Sequence, residues 1–270
     1  MSTSTVRLPV APTRPGPTGP PDGRPGIPFR RTVRLEIRKI VDTRSGRWLL
    51  VSIALVTAEV LGLVLRFAEP AEDLSFNGFV TLTSLPQLLL YPVLGILATT
   101  AEFSQRTGLV TFTVEPRRHR VVGAKLVAGC GWGLVGLAVA VALAAAAHGA
   151  AIVFRDAPAA WGLDGSVLAG FVVAQLLSVA QGVAFGLLLT SPAAAIVAFF
   201  VLPTAWSALA GFVPFVGRAA PWLDVGRSTD ALLGGSMRGA DWAHLATSSG
   251  LWVLLPLVVG ALLLHRRELK

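Results

Sequence analysis

The chain has 270 residues, of which 53% are hydrophobic and only 14% charged, with a net charge of +8. A water-soluble domain carries roughly a quarter of its residues charged, so much of this surface faces something other than water, and soluble-enzyme chemistry is excluded. The single cysteine, Cys130, excludes an internal disulfide and a thiolate metal cluster.

Residues 1–29 are dominated by proline and glycine, with few aromatic or β-branched side chains. Such a stretch cannot bury a core and reads as a disordered tail. It lacks the apolar centre of a cleavable signal peptide. Residues 30–47 change character: Val33, Ile37, Ile40 and Val41 fall on one helical stripe, while Arg30, Arg34 and Arg38 line another face, with Lys39, Arg44 and Arg47 adding charge. A basic amphipathic helix directly before an apolar run reads as lying in a membrane interface.

Apolar runs near twenty residues then recur, each long enough to cross a hydrocarbon core of about 30 Å as a helix. They predict an all-α membrane protein with spans at 48–67, 79–100, 126–149, 166–189, 193–216 and 246–264. Pro86 and Pro92, Pro203 and Pro214, and Pro256 predict kinks in the second, fifth and sixth spans. The pairs Gly129/Gly133 and Gly182/Gly186 predict close helix contacts. The stretch 217–247, with Trp222 and Trp242 among glycines and polar residues, predicts short helices lying on or dipping into one face of the membrane before the last span.

Lys and Arg set the orientation. Ten precede Trp48, five lie between spans two and three, and three follow the last span: eighteen of twenty-three on one side. Both termini are therefore expected in the cytoplasm. The bias also accounts for the pI of 11.1 without nucleic acid as a partner.

The connection between spans two and three, 101–125, is the most informative segment. It runs from Glu102 through Arg106 and Thr107 to an apolar, β-branched run at 109–114, breaks at Glu115-Pro116, and continues with Arg117, Arg118, His119, Arg120 and Lys125. An apolar run facing cytosol is costly unless it packs on something. The residues alone leave two readings open: a docking element seated in a partner's groove, or an interfacial helix with snorkelling Arg and Lys.

Gly95-Ile96-Leu97, Glu102, Thr107, Pro116-Arg117-Arg118 and Ala124-Lys125 resemble the segment linking the second and third helices of ABC-2 type transporter permeases. Glu36-Ile37-Arg38-Lys39 and Thr43-Arg44-Ser45-Gly46-Arg47-Trp48 resemble the elbow helix of that family. The resemblance implies a six-helix half-transporter in the cell membrane, paired with a second permease (the same chain or a different one) and with two cytoplasmic ATPase subunits that bind ATP and Mg. By matching position, 102–125 is the coupling segment, carrying Glu102, Arg106, Thr107, Glu115, Pro116, Arg117, Arg118 and Lys125. The elbow carries Arg34, Glu36, Arg38, Lys39 and Arg44. Glu115 departs from the pattern, standing where relatives often have a neutral residue.

No G-x-x-x-x-G-K-[ST] occurs, so ATP-driven work needs a separate subunit. No H-E-x-x-H, no acids paired at metal spacing and no G-x-S-x-G occur either, so no catalytic or metal site is expected in this chain. Glu59 stands mid-span, where an ionised carboxylate costs several kcal/mol. It is a candidate for the translocation path, together with Gln87, Gln175 and Gln181, for which interhelical hydrogen bonding is the simpler role. His148, at the end of the third span, is expected at the membrane interface. Two other classes stay open: an ATP-independent secondary transporter of inverted halves, for which prolines in spans two and five would be symmetric, and a membrane accessory or immunity protein.

Overall fold

The computed structural model describes residues 28–68, 74–104 and 117–266. The predicted tail, the loop bearing Glu69, Glu72 and Asp73, and the 105–116 part of the predicted coupling segment lie outside the described residues. Among the described residues all regular structure is helical. Six helical runs are long and apolar enough to cross a membrane: Arg44–Phe67, Phe76–Phe103, Arg118–Arg155, Gly165–Leu189, Pro192–Phe212 and Ala240–Leu264.

In chain order the elements are α1 (Phe29–Asp42), α2 (Arg44–Phe67), α3 (Phe76–Ser104), α4 (Arg118–Arg155), α5 (Gly165–Leu189), α6 (Pro192–Phe212), α7 (Pro214–Leu223), α8 (Val225–Leu233), α9 (Ala240–Ser249), a π-helical turn (Gly250–Leu254) and α10 (Leu255–Arg266). The helix predicted over 30–47 ends at Asp42, and Arg44–Arg47 form the first turn of α2. Thr43 makes the corner. Its extended backbone ends α1, and its hydroxyl accepts from Gly46 N at 3.2 Å to start α2. A Cβ on Gly46 would stand 2.0 Å from the Ile40 carbonyl oxygen, so the corner closes only around glycine.

α3 and α5 are the two most buried spans and form the centre of the bundle. Their backbones approach through small residues: a Cβ on Gly182 would lie 2.1 Å from the Pro92 carbonyl oxygen, and one on Gly186 1.9 Å from Thr99 Oγ1. Gly129 and Gly133 of α4 pack on Val179 of α5 in the same way, as the spacing predicted. Pro92 has no N–H for the Leu88 carbonyl one turn back. The Ser178 hydroxyl of α5 donates to that carbonyl at 3.3 Å, so the neighbouring helix supplies the missing bond.

Two proline expectations need correction. Pro214 does not kink the fifth span: α6 ends at Phe212, four residues before the predicted 216, and Pro214 opens α7. At the first helical position its missing N–H costs nothing, and it holds Val213 in extended backbone, which stops α6. In the last span the helix does not simply bend at Pro256; it passes through the π-helical turn just before it. Pro256 cannot donate to the Trp252 carbonyl in α-helical register, and the wider turn absorbs that mismatch.

The 217–247 stretch does form short helices, α7, α8 and the start of α9. They fold back on the bundle where α5 begins: a Cβ on Gly170 would meet the Leu232 carbonyl oxygen at 2.0 Å. Asp224, buried between α7 and α8, accepts from Gly226 N at 2.9 Å and from Ser207 Oγ of α6 at 2.8 Å. Trp222 and Trp242 are exposed, as membrane-interface anchors would be. His148 is fully buried within the protein, its Nδ1 2.8 Å from the Leu74 carbonyl oxygen and its ring against Trp161.

Candidate functional site

The two sequence stretches that stand out, 33–48 and 95–126, meet at the arginine-rich end of the bundle. Thr32, Glu36 and Ile40 are buried at i, i+4 and i+8 of α1, so the face packed against the other helices shares only Ile40 with the buried end of the apolar stripe. Ile37 and Leu35 stay exposed beside it, leaving apolar surface for lipid. Glu36 is thereby carried into the protein.

There it joins an ion cluster that includes Lys39, Glu102 and Lys125. Lys125 of α4, 2% exposed, lies 2.9 Å from Glu36 Oε2 and 3.1 Å from Glu102 Oε1 of α3. Lys39, one turn after Glu36, lies 2.6 Å from Glu36 Oε1 and 2.9 Å from Glu102 Oε1. Lys125 Nζ also donates to the Ala98 carbonyl at 2.9 Å, near the C-terminal end of α3, where a cation suits the helix dipole. Two carboxylates and two ammoniums thus tie three helices together. Trp132 of α4 adds a bond from Nε1 to the Ile37 carbonyl at 3.3 Å.

Burying the charges of Glu36, Glu102 and Lys125 costs several kcal/mol per ion in desolvation, which mutual attraction repays only in good geometry. The cluster therefore contributes less to net stability than to register: α1 fits in one position only, where each charge finds its partners. It also brackets residues 105–116, because Glu102 lies in the last turn of one flanking helix and Lys125 about two turns into the other.

Burial works to lower the Lys39 pKa, and the Glu102 and Glu36 carboxylates more than offset it, so the value is raised above 10.5. A raised folded-state pKa means that the pairing is complete below pH 10.5 and fades as pH climbs through the folded value. Thermal melting in lipid nanodiscs between pH 9 and about 11.5 is expected to show a stability loss that Lys39→Met lacks. Parallel curves for the two proteins would contradict it.

The other expected residues scatter. Arg34, Arg38, Arg44 and Arg117 are exposed. Arg118 instead donates to the Leu264 carbonyl and pins α4 to the end of α10. Arg106, Thr107, Glu115 and Pro116 lie outside the described residues. The proposed path residues do not come together. Glu59 lies on the outward face of α2, while Gln87, Gln175 and Gln181 are buried inside the bundle. Gln87 Nε2 donates to Thr57 Oγ1 at 3.4 Å, an α3–α2 tie of the interhelical kind expected. Sequence reasoning missed Tyr91 and Asp224: an isolated phenol and an aspartate between two short helices carry no spacing signal.

No protein-family model matches the chain, and no curated protein matches it. Fold and cluster together define the class: an all-α, multi-pass membrane protein whose N-terminal helix is locked by buried charges to the ends of two spans.

Proposed function

We propose that this chain is the membrane-spanning subunit of an ABC-2 type transporter in the cell membrane, exporting its substrate with ATP hydrolysed by a separate subunit. The observation that carries this reading is the cluster of Glu36, Lys39, Glu102 and Lys125, which joins the elbow-like and coupling-like stretches in one largely buried contact. A force applied by an ATPase to residues 105–116 reaches α3 and α4 directly, and the cluster passes it to α1 and so to α2. The arginine-rich end is the cytoplasmic one in this reading, with both termini there.

Glu59 supports the second permease. A mid-span carboxylate facing hydrocarbon costs several kcal/mol, so the outward face of α2 belongs against another protein or a polar route. α2 and α6 are the least buried spans, which leaves both faces free for such a partner, either a second copy or a different chain. The inverted-repeat alternative loses its symmetry: the fifth span, α6, has one interior proline, Pro203, against Pro86 and Pro92 in the interior of α3.

The test is co-purification of the full-length protein from its own membranes with the ATPase. Arg117→Glu is the informative variant, since Arg117 is exposed, whereas Arg118 also holds α10. The expected result is loss of the ATPase with the protein still inserted and monodisperse. Retention of the ATPase by the variant, or no nucleotide-binding subunit with the parent protein, would overturn the reading.

A further inference from the structure

We propose that the groove between α2, α3 and α4 is an intramembrane binding site for an apolar molecule bearing a hydroxyl group, entered sideways from the bilayer. The groove is a cavity of about 140 Å³, and its lining includes Ile53, Thr57, Gln87, Tyr91, Trp132 and Val139. Its mouth faces outward, because Val135 and Val139 on its rim are about half exposed. Its lining carries no charged residue, so an ionic ligand gains nothing there.

Its polar groups are few and incompletely used. Gln87 is 2% exposed, and its Oε1 has no hydrogen-bond partner. The nearby Thr57 hydroxyl is not available to it, since it donates to the Ile53 carbonyl at 2.7 Å. A buried carbonyl without a donor is costly, and native proteins rarely leave one. Tyr91 follows Gln87 by four residues on α3, so both side chains share one face. Its phenol lies against Gly136, where a Cβ would stand 1.7 Å from the Tyr91 hydroxyl oxygen, so that glycine makes the room the phenol occupies.

The pair therefore offers an acceptor and, one turn away, a hydroxyl that both donates and accepts. An alcohol fits: it donates to Gln87 and accepts from Tyr91. Apolar cavities near this size hold a ring or a short alkyl chain, and a longer chain leaves past Val135 into the lipid. This site is separate from the ion cluster and does not depend on the transporter reading.

The probe is a diazirine derivative of 1-octanol, compared with the diazirine alkane that lacks the hydroxyl, applied to the full-length protein in nanodiscs. The octanol probe is expected to label Ile53, Trp132 or Val139 saturably, in competition with plain octanol, and the alkane to label them no more than the exposed Val197 and Val201 of α6. Gln87→Leu keeps the volume and removes the carbonyl. It should weaken the octanol probe about fivefold, the yield of one neutral hydrogen bond. Ala54→Phe, at the exposed rim, should block labelling should the first variant fail to fold. Non-saturable labelling, equal labelling of α6, or insensitivity of well-folded variants to both changes would overturn the proposal.

Discussion

Replacing Lys125 by methionine is expected to destabilise the protein by about 3–5 kcal/mol, the cost of breaking a buried ion pair from one side. The removed ammonium is 2% exposed and contacts two carboxylates, Glu36 at 2.9 Å and Glu102 at 3.1 Å. Of its two ammonium partners the cluster then keeps Lys39, whose side chain is 46% exposed and more strongly screened by solvent. The Ala98 carbonyl also loses its donor. The double variant Lys125→Met/Glu102→Gln removes one charge of each sign, and it is expected to recover much of the loss. Thermal or denaturant unfolding in nanodiscs measures both. A single variant as stable as the parent, or a double variant worse than the sum of its parts, would mean that the four charges do not act as a unit.

Gly182→Ala is expected to cost about 2–3 kcal/mol, high in the range for forcing one methyl into a packed interior. The new Cβ would stand 2.1 Å from the Pro92 carbonyl oxygen and 2.8 Å from its carbon. Both are backbone atoms of a central helix, so no side chain can rotate away. α3 and α5 must separate, and the Ser178 bond to the Leu88 carbonyl, already 3.3 Å long, lengthens with them. Gly62→Ala on α2 is the control. Nothing lies within 4 Å of that position, and alanine in an open helical site gains about 0.5–1 kcal/mol over glycine. The two alanines should therefore shift the melting temperature in opposite directions; a shared direction would deny the close α3–α5 contact.

The membrane spans were legible because hydropathy reports the solvent directly, and all six fall where the apolar runs lie. Their ends were less so. α4 runs for 38 residues, about 57 Å at 1.5 Å per residue, well past the predicted 126–149, because hydropathy marks the part in hydrocarbon and is silent on a helix that continues into water. Pro214 was misplaced because a proline inside an apolar run and one opening a new helix look alike without the extended Val213 before it. The packed face of α1 escaped detection for a different reason. Periodicity favours Ile37 as an inward residue, yet Glu36 is the one buried, drawn in by Lys125, 89 positions away in the chain. Local pattern cannot register an attraction of that range; the resemblance set Glu36 in the elbow and Glu102 and Lys125 in the coupling segment, without joining the two. The Gln87 groove was invisible for the same reason, since Tyr91 and Gly136 acquire meaning only in contact.

The central claim is that the segment between Glu102 and Lys125 docks on an ATP-binding partner, and photocrosslinking from inside that segment tests it most directly. A benzophenone amino acid at Phe112, in the full-length protein in its native membrane, should yield one dominant adduct with a subunit that also takes up a photoreactive ATP analogue. Adducts with lipid alone, while the protein remains folded and inserted, would contradict the account and identify the segment as an interfacial helix.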